Sequence, residues 1–175
     1  MKTLGNAIGL TAICTLLAAC STPTHTHLPA NLIPAANEQA AFTWSAVGSQ
    51  IYECKANAAG AFAWTFVAPE AVLFNAKKER VGSHGAGPHW TALDGSKTVG
   101  EVKARASGQR STDIPWLLLT AKSAGGPGRM AAVTSVQRIN TVGGIAPVTG
   151  CVTAADLGKI SKQDYSADYV YFVMR

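Results

Sequence analysis

The chain has 175 residues, 47% hydrophobic and 14% charged, with 15 Lys and Arg against 10 Asp and Glu, and with 17 Gly, 8 Pro and 4 Cys. That length fits one domain, or one domain with a tail. Low charge beside an ordinary apolar fraction excludes a disordered chain, and the lack of repeated long apolar runs excludes a polytopic helical membrane protein.

The first element in chain order is a leader. Lys2 gives it a positive start, and residues 8–19 form an apolar stretch too short to span a bilayer as a mature helix. It ends in Leu17-Ala18-Ala19-Cys20, which resembles the bacterial lipobox, where small residues fit the peptidase groove and the cysteine thiol receives diacylglycerol. Residues 1–19 are therefore expected to be a lipoprotein signal peptide and Cys20 the lipidated residue; an ordinary secretory signal is the competing reading. Ser21 stands where Asp typically retains lipoproteins at the inner membrane, so a Gram-negative source implies the outer membrane. The expected location is the bacterial cell envelope, with the membrane a partner through the lipid anchor. Loss of Lys2 with the leader leaves 14 basic against 10 acidic residues, a net charge of +4. No basic run exceeds Lys77-Lys78, so nucleic acid is not an expected partner.

Residues 20–40 carry Pro, Thr and Asn without a sustained period and read as the lipidated cysteine followed by a flexible tether. His25 and His27 are two imidazoles without a third ligand, a weak basis for binding copper or nickel.

Residues 41–175 read as one β-rich domain. Residues 51–56 alternate, with Tyr52 and Cys54 on one face; Phe62, Trp64 and Phe66 share another. Residues 90–93 and 97–104 flank Asp94-Gly95, a pair that tolerates the positive φ of a tight hairpin turn. Residues 114–120 are nearly continuously apolar behind Pro115, as in a strand buried on both faces. The glycines of residues 125–128 turn the chain, residues 130–141 are rich in Val, Ile and Thr, and residues 167–173 alternate again. The expectation is an all-β sandwich or barrel of about seven to nine mostly antiparallel strands. One or two short helical turns are expected, at residues 69–74 or 154–160.

With Cys14 removed and Cys20 lipidated, Cys54 and Cys151 remain to pair in an oxidising compartment. The competing reading is a catalytic thiol with His84 or His89 as its base.

Several of these segments also carry a resemblance. Gln50-Ile51-Tyr52-Glu53-Cys54, Ala68-Pro69-Glu70-Ala71, His84-Gly85-Ala86-Gly87-Pro88-His89-Trp90, Asp94-Gly95-Ser96, Ile114-Pro115-Trp116-Leu117-Leu118-Leu119 and Val136-Gln137-Arg138-Ile139-Asn140-Thr141 occur in that order. Over residues 40–173 the chain resembles the bacterial and fungal family called domain of unknown function number 3455. The resemblance implies a secreted or lipid-anchored β-rich domain and brings no reaction with it. The chain departs from the family's H-Y-A-G-P-T-W pattern at Gly85 and His89.

Some fungal members are labelled dehydrogenases, and Gly126-Pro127-Gly128-Arg129-Met130-Ala131 fits G-x-G-x-x-A. However, β-branched residues follow it, and no acidic residue stands about 20 positions on, so it reads as a turn and no cofactor is expected.

The remaining chemistry gathers between His84 and Asp94. Two imidazoles, His84 and His89, with a carboxylate nearby can ligate a metal weakly or act as base and orienter; alternatively the loop is structural, with His84 bonded to backbone and Trp90 in the core. Arg138 is expected either to pair with Glu70 or Asp94 inside the domain or to recognise a ligand. Trp64 and Trp116 are expected in the core. The leading reading is a binding or structural module, not an enzyme, that recognises a small polar ligand, an envelope polysaccharide or an envelope protein through His84, Trp90, Asp94 and Arg138. The alternative is a hydrolytic, metal-assisted enzyme using His84, Asp94 and Glu70.

Overall fold

The computed structural model describes residues 28–175; the expected signal peptide, Cys20, His25 and His27 lie outside them. Eight antiparallel strands follow one another around a closed barrel. They are β1 (Glu38–Ala56), β2 (Phe62–Phe74), β3 (Arg80–Gly85), β4 (His89–Ala92), β5 (Lys97–Ala106), β6 (Trp116–Ser123), β7 (Val133–Gly143) and β8 (Ile160–Met174). The all-β expectation holds, and barrel rather than sandwich is the form it takes. Closure comes from β1, whose 19 residues pair with β2 through Ala56↔Phe62 and with β8 from Glu38↔Met174 to Glu53↔Ile160. No edge is left open, and an eight-stranded interior is just wide enough to be filled by side chains or to hold one small ligand.

Period-two alternation turns one face of each strand inward. Trp44 and Ala46 of β1, Leu73 of β2, Trp90 of β4, Leu119 of β6 and Tyr171 of β8 are buried in the main core cluster. Gly100 of β5 has no alternative there, because a Cβ would stand 2.9 Å from the Trp90 indole. At one end the interior is plugged by Met130, which is fully buried and fixed by the bond its N–H donates to Ser96 Oγ at 3.0 Å. Gly126 to Met130 thus form part of the loop between β6 and β7, and a strand, not a helix, follows.

A smaller cluster lies outside the barrel wall, where Trp116 and Leu118 of β6 are covered by Leu32. Gln137 Nε2 donates to the Leu32 carbonyl at 2.5 Å and Asn31 Nδ2 to the Arg105 carbonyl at 2.8 Å. This cover explains the continuous apolar run of β6, which is buried on its second face by the chain's own upstream segment. Upstream of β1, which begins at Glu38, a 3-10 turn at Ala30–Leu32 packs on this wall.

The helical turn expected at residues 69–74 is strand instead. Pro69 faces Gln50 beside the register shift at Ile51/Tyr52, where an irregular ladder tolerates a residue with no N–H. The other expected turn is present as a 3-10 turn at Ala154–Asp156. Cys54 at the end of β1 is bonded to Cys151 in the β7–β8 connection, with Cα atoms 5.4 Å apart.

Candidate ligand-binding site

At the end opposite Met130 the side chains do not fill the barrel, and a cavity of about 330 Å³ remains. Its mouth is framed by the β3–β4 turn (Gly87 and Pro88) and by the end of the β5–β6 connection (Ile114 and Pro115). That connection is locked in place. The Asp113 carboxylate accepts both Nε and Nη2 of Arg110 at 3.0 Å and the N–H of Gly143 at 2.8 Å, while Thr141 Oγ1 donates to the Ile114 carbonyl at 2.6 Å. The Arg110 guanidinium is the main reason the Asp113 carboxyl is held down at about 2.

His84 and Trp90 are direct cross-strand partners and both point inward. Their rings stack at 4.8 Å and 8°, and Tyr169 closes on the imidazole at 4.9 Å. Nδ1 of His84 lies 2.8 Å from the His89 carbonyl, which can only accept, so Nδ1 carries the proton and Nε2 the lone pair. Burial, with Arg138 nearby, pulls the imidazole down to about 3, so the ring is neutral at physiological pH.

Arg138 of β7 stands opposite Leu117 of β6 and Tyr169 of β8 on the inward face. Its Nε and Nη2 donate to the Pro115 carbonyl at 3.1 and 2.9 Å, and its side chain also hydrogen-bonds Tyr169. Continuing the same inward row, Arg105 of β5 faces Leu117 from the other side and sits at the mouth. Tyr52 donates its hydroxyl to the Gly144 carbonyl at 2.7 Å. The Gln50 side chain reaches the Tyr165 hydroxyl, whereas Trp90 Nε1, also in the wall, has no hydrogen-bond partner among the described residues. Trp90 is 1% exposed, so its N–H is a donor withheld from bulk water.

His84, Trp90 and Arg138 therefore line one cavity. Asp94 does not join them. It lies in the β4–β5 turn, beyond the opposite end of β4 and roughly 13 Å along the strand from the His84–Trp90 level. There its carboxylate accepts the Ser96 hydroxyl, the Arg129 N–H at 2.7 Å and the Ser96 N–H at 2.9 Å, and these bonds, the hydroxyl's foremost, hold its pKa low. Glu70 is on the outer face, paired with Lys162 at 2.7 Å. Neither carboxylate reaches Arg138, whose partners are a carbonyl and a phenol. His89 pairs with Gly85 on the outward side of the hairpin, its Nδ1 2.7 Å from the Ala86 carbonyl, so the two imidazoles cannot share a metal. Among the described residues no three His, Cys, Asp or Glu side chains are grouped to hold an ion. Trp116 is buried as expected, though outside the barrel; Trp64 is half-buried and donates Nε1 to the Thr149 carbonyl at 2.8 Å.

Gln50, Tyr52, Arg105, Leu117 and Tyr169 were not legible as site residues. The signal for Gln50 lay in the alternation of β1, where a polar residue interrupts the inward series Trp44, Ala46, Gly48 and Tyr52.

A family model described as a protein of unknown function (DUF3455) matches residues 34–173, which take in nearly the whole barrel. No curated protein and no solved structure matches the chain.

Proposed function

We propose that this chain, which belongs to the DUF3455 family of proteins of unknown function, works as a small-ligand binding module anchored by lipid in the bacterial cell envelope. The observation that carries the binding reading is a buried, unpartnered donor, Trp90 Nε1, in the wall of an end cavity. Buried N–H groups are rarely left unpaired, so one beside open space supports a ligand that completes it. With Met130 plugging the far end, the interior suits one small molecule rather than a threaded polysaccharide chain. Hydrolysis has no comparable support, because neither Asp94 nor Glu70 lines the cavity.

Substituting Leu117→Phe tests the binding reading by filling the cavity with a larger side chain. Stability is expected to stay level or rise by about 0.5–2 kcal/mol, while thermal shifts given by a set of small aromatic fragments disappear. Fragments that bind the variant as well as the parent would place binding elsewhere.

The envelope reading rests on the leader, on Cys20 and on a disulfide of the kind that oxidising compartments favour. Cys20→Ala is expected to move the protein from the membrane fraction to the soluble fraction; retention in the membrane fraction would rule the anchor out.

A further inference from the structure

The cavity wall is chemically one-sided. Among the described residues it carries two guanidinium groups, Arg105 at the mouth and Arg138 inside it, and no carboxylate. The acids that neighbouring segments supply are engaged elsewhere: Asp113 with Arg110 and the Gly143 N–H, Glu70 with Lys162, and Asp94 with its own turn and the Arg129 N–H. The unpartnered buried group of this wall, Trp90 Nε1, is a donor as well. Arg138 spends part of its five-donor fork on one carbonyl and one phenol, neither of which carries a negative charge at physiological pH. A ligand that completes this wall brings acceptors and negative charge. The rest of the lining, which includes Phe66, Trp90, Ile114, Leu117 and Leu119, asks for a compact apolar or aromatic body.

Resting on the binding reading above, we infer that the ligand class is a small organic acid, with its carboxylate directed to Arg138 and Arg105 and a flat apolar body against Trp90 and Leu117. Guanidinium is the side chain best matched to a carboxylate, because its fork offers two parallel N–H bonds. The aromatic floor made by the His84–Trp90 stack gives the body a planar surface. Arg138 is half-buried, which strengthens an ion pair over its value in open water.

The test uses two probes of nearly one shape, phenylacetate and the uncharged phenylacetamide. Each is titrated into the purified protein while the Trp90 indole N–H and the Leu117 and Leu119 methyl signals are followed by NMR. Phenylacetate is expected to bind at least tenfold more tightly than the amide and to weaken as salt is raised. Arg138→Gln is expected to bring the two probes within about threefold of each other, and Arg138→Lys to restore part of the preference. Because Arg138 also holds the Pro115 carbonyl, Arg105→Gln serves as a second variant outside that bond, with a smaller loss of the acid's advantage expected. Equal affinity for the two probes, or a preference untouched by both substitutions, would overturn the organic-acid inference and leave the binding module standing. If neither probe moves any cavity signal, both the inference and the reading beneath it fail.

Discussion

Replacing Cys54 and Cys151 together with serine is expected to lower the unfolding free energy by about 4–5 kcal/mol, because the bond closes a loop with a sequence separation of 97. In the chain-entropy model the effect comes from the unfolded ensemble, which regains the freedom that the cross-link removes. The native state loses something too. Cys151 ties the β7–β8 connection to the end of β1, where Gly158 N–H donates to the Cys54 carbonyl at 3.0 Å and Cys54 N–H to the Lys159 carbonyl at 2.9 Å. The Trp64–Thr149 bond braces the same connection, so local fraying there is expected to precede global unfolding in the variant. Thermal or urea unfolding measures the effect. A drop in Tm of about 10–20 °C is expected for a domain of this size, and a drop below about 2 °C would mean that the bond adds little to the stability of the barrel.

A second large effect belongs to pH. The His84 imidazole titrates near 3 in the folded protein, depressed from an ordinary 6.5 chiefly by burial. Below pH 6.5 the unfolded chain takes up a proton that the folded one does not, so acid favours unfolding. The stability that His84 contributes is therefore complete above pH 6.5 and is lost as the pH falls toward 3. The slope approaches about 1.4 kcal/mol per pH unit, for a total of about 5 kcal/mol. His84→Asn is designed to keep a donor for the His89 carbonyl while removing the titration. In urea melts at pH 7, 6, 5 and 4 the difference between parent and variant should shift steadily in the variant's favour as the pH falls, whatever the variant loses at pH 7 through the missing stack on Trp90. Parallel curves would show that the buried imidazole is not coupled to folding.

Much of the barrel could be read in the chain because its strands obey a strict period. The Asp94-Gly95 hairpin, the alternation of residues 167–173 and the apolar run of β6 each announce a local geometry that tertiary packing did not override. Gly95 has the expected positive φ of 83°. β3 escaped because Arg80-Val81-Gly82-Ser83-His84-Gly85 has little hydrophobic alternation; it is strand because Gly82 lets Thr91 of β4 come close, and a Cβ there would run into the Thr91 carbonyl. The first half of β1 and the cover provided by Leu32 escaped for another reason. Both depend on long-range partners, β8 and the outside of β6, which no local pattern announces.

The site was legible in part for the same reason. His84, Trp90 and Arg138 stood out as chemistry within apolar segments, and ladder pairing brings them to one end of the barrel. Asp94 looked close because it is only four residues from Trp90. In a strand that separation is a length, not a contact, and the β4–β5 turn carries Asp94 to the far end. Arg105 and Tyr169 become site residues only through the inward row that Arg105, Leu117, Arg138 and Tyr169 form across four strands.

The most direct measurement is the set of intermolecular NOEs between bound phenylacetate and the protein. Contacts from its ring protons to the Trp90 indole and to the Leu117 and Leu119 methyls are the expected result. Contacts instead to the outer groove beside Val47 and Val142, or to the depression between Trp44 and Arg129, would contradict a binding site inside the barrel.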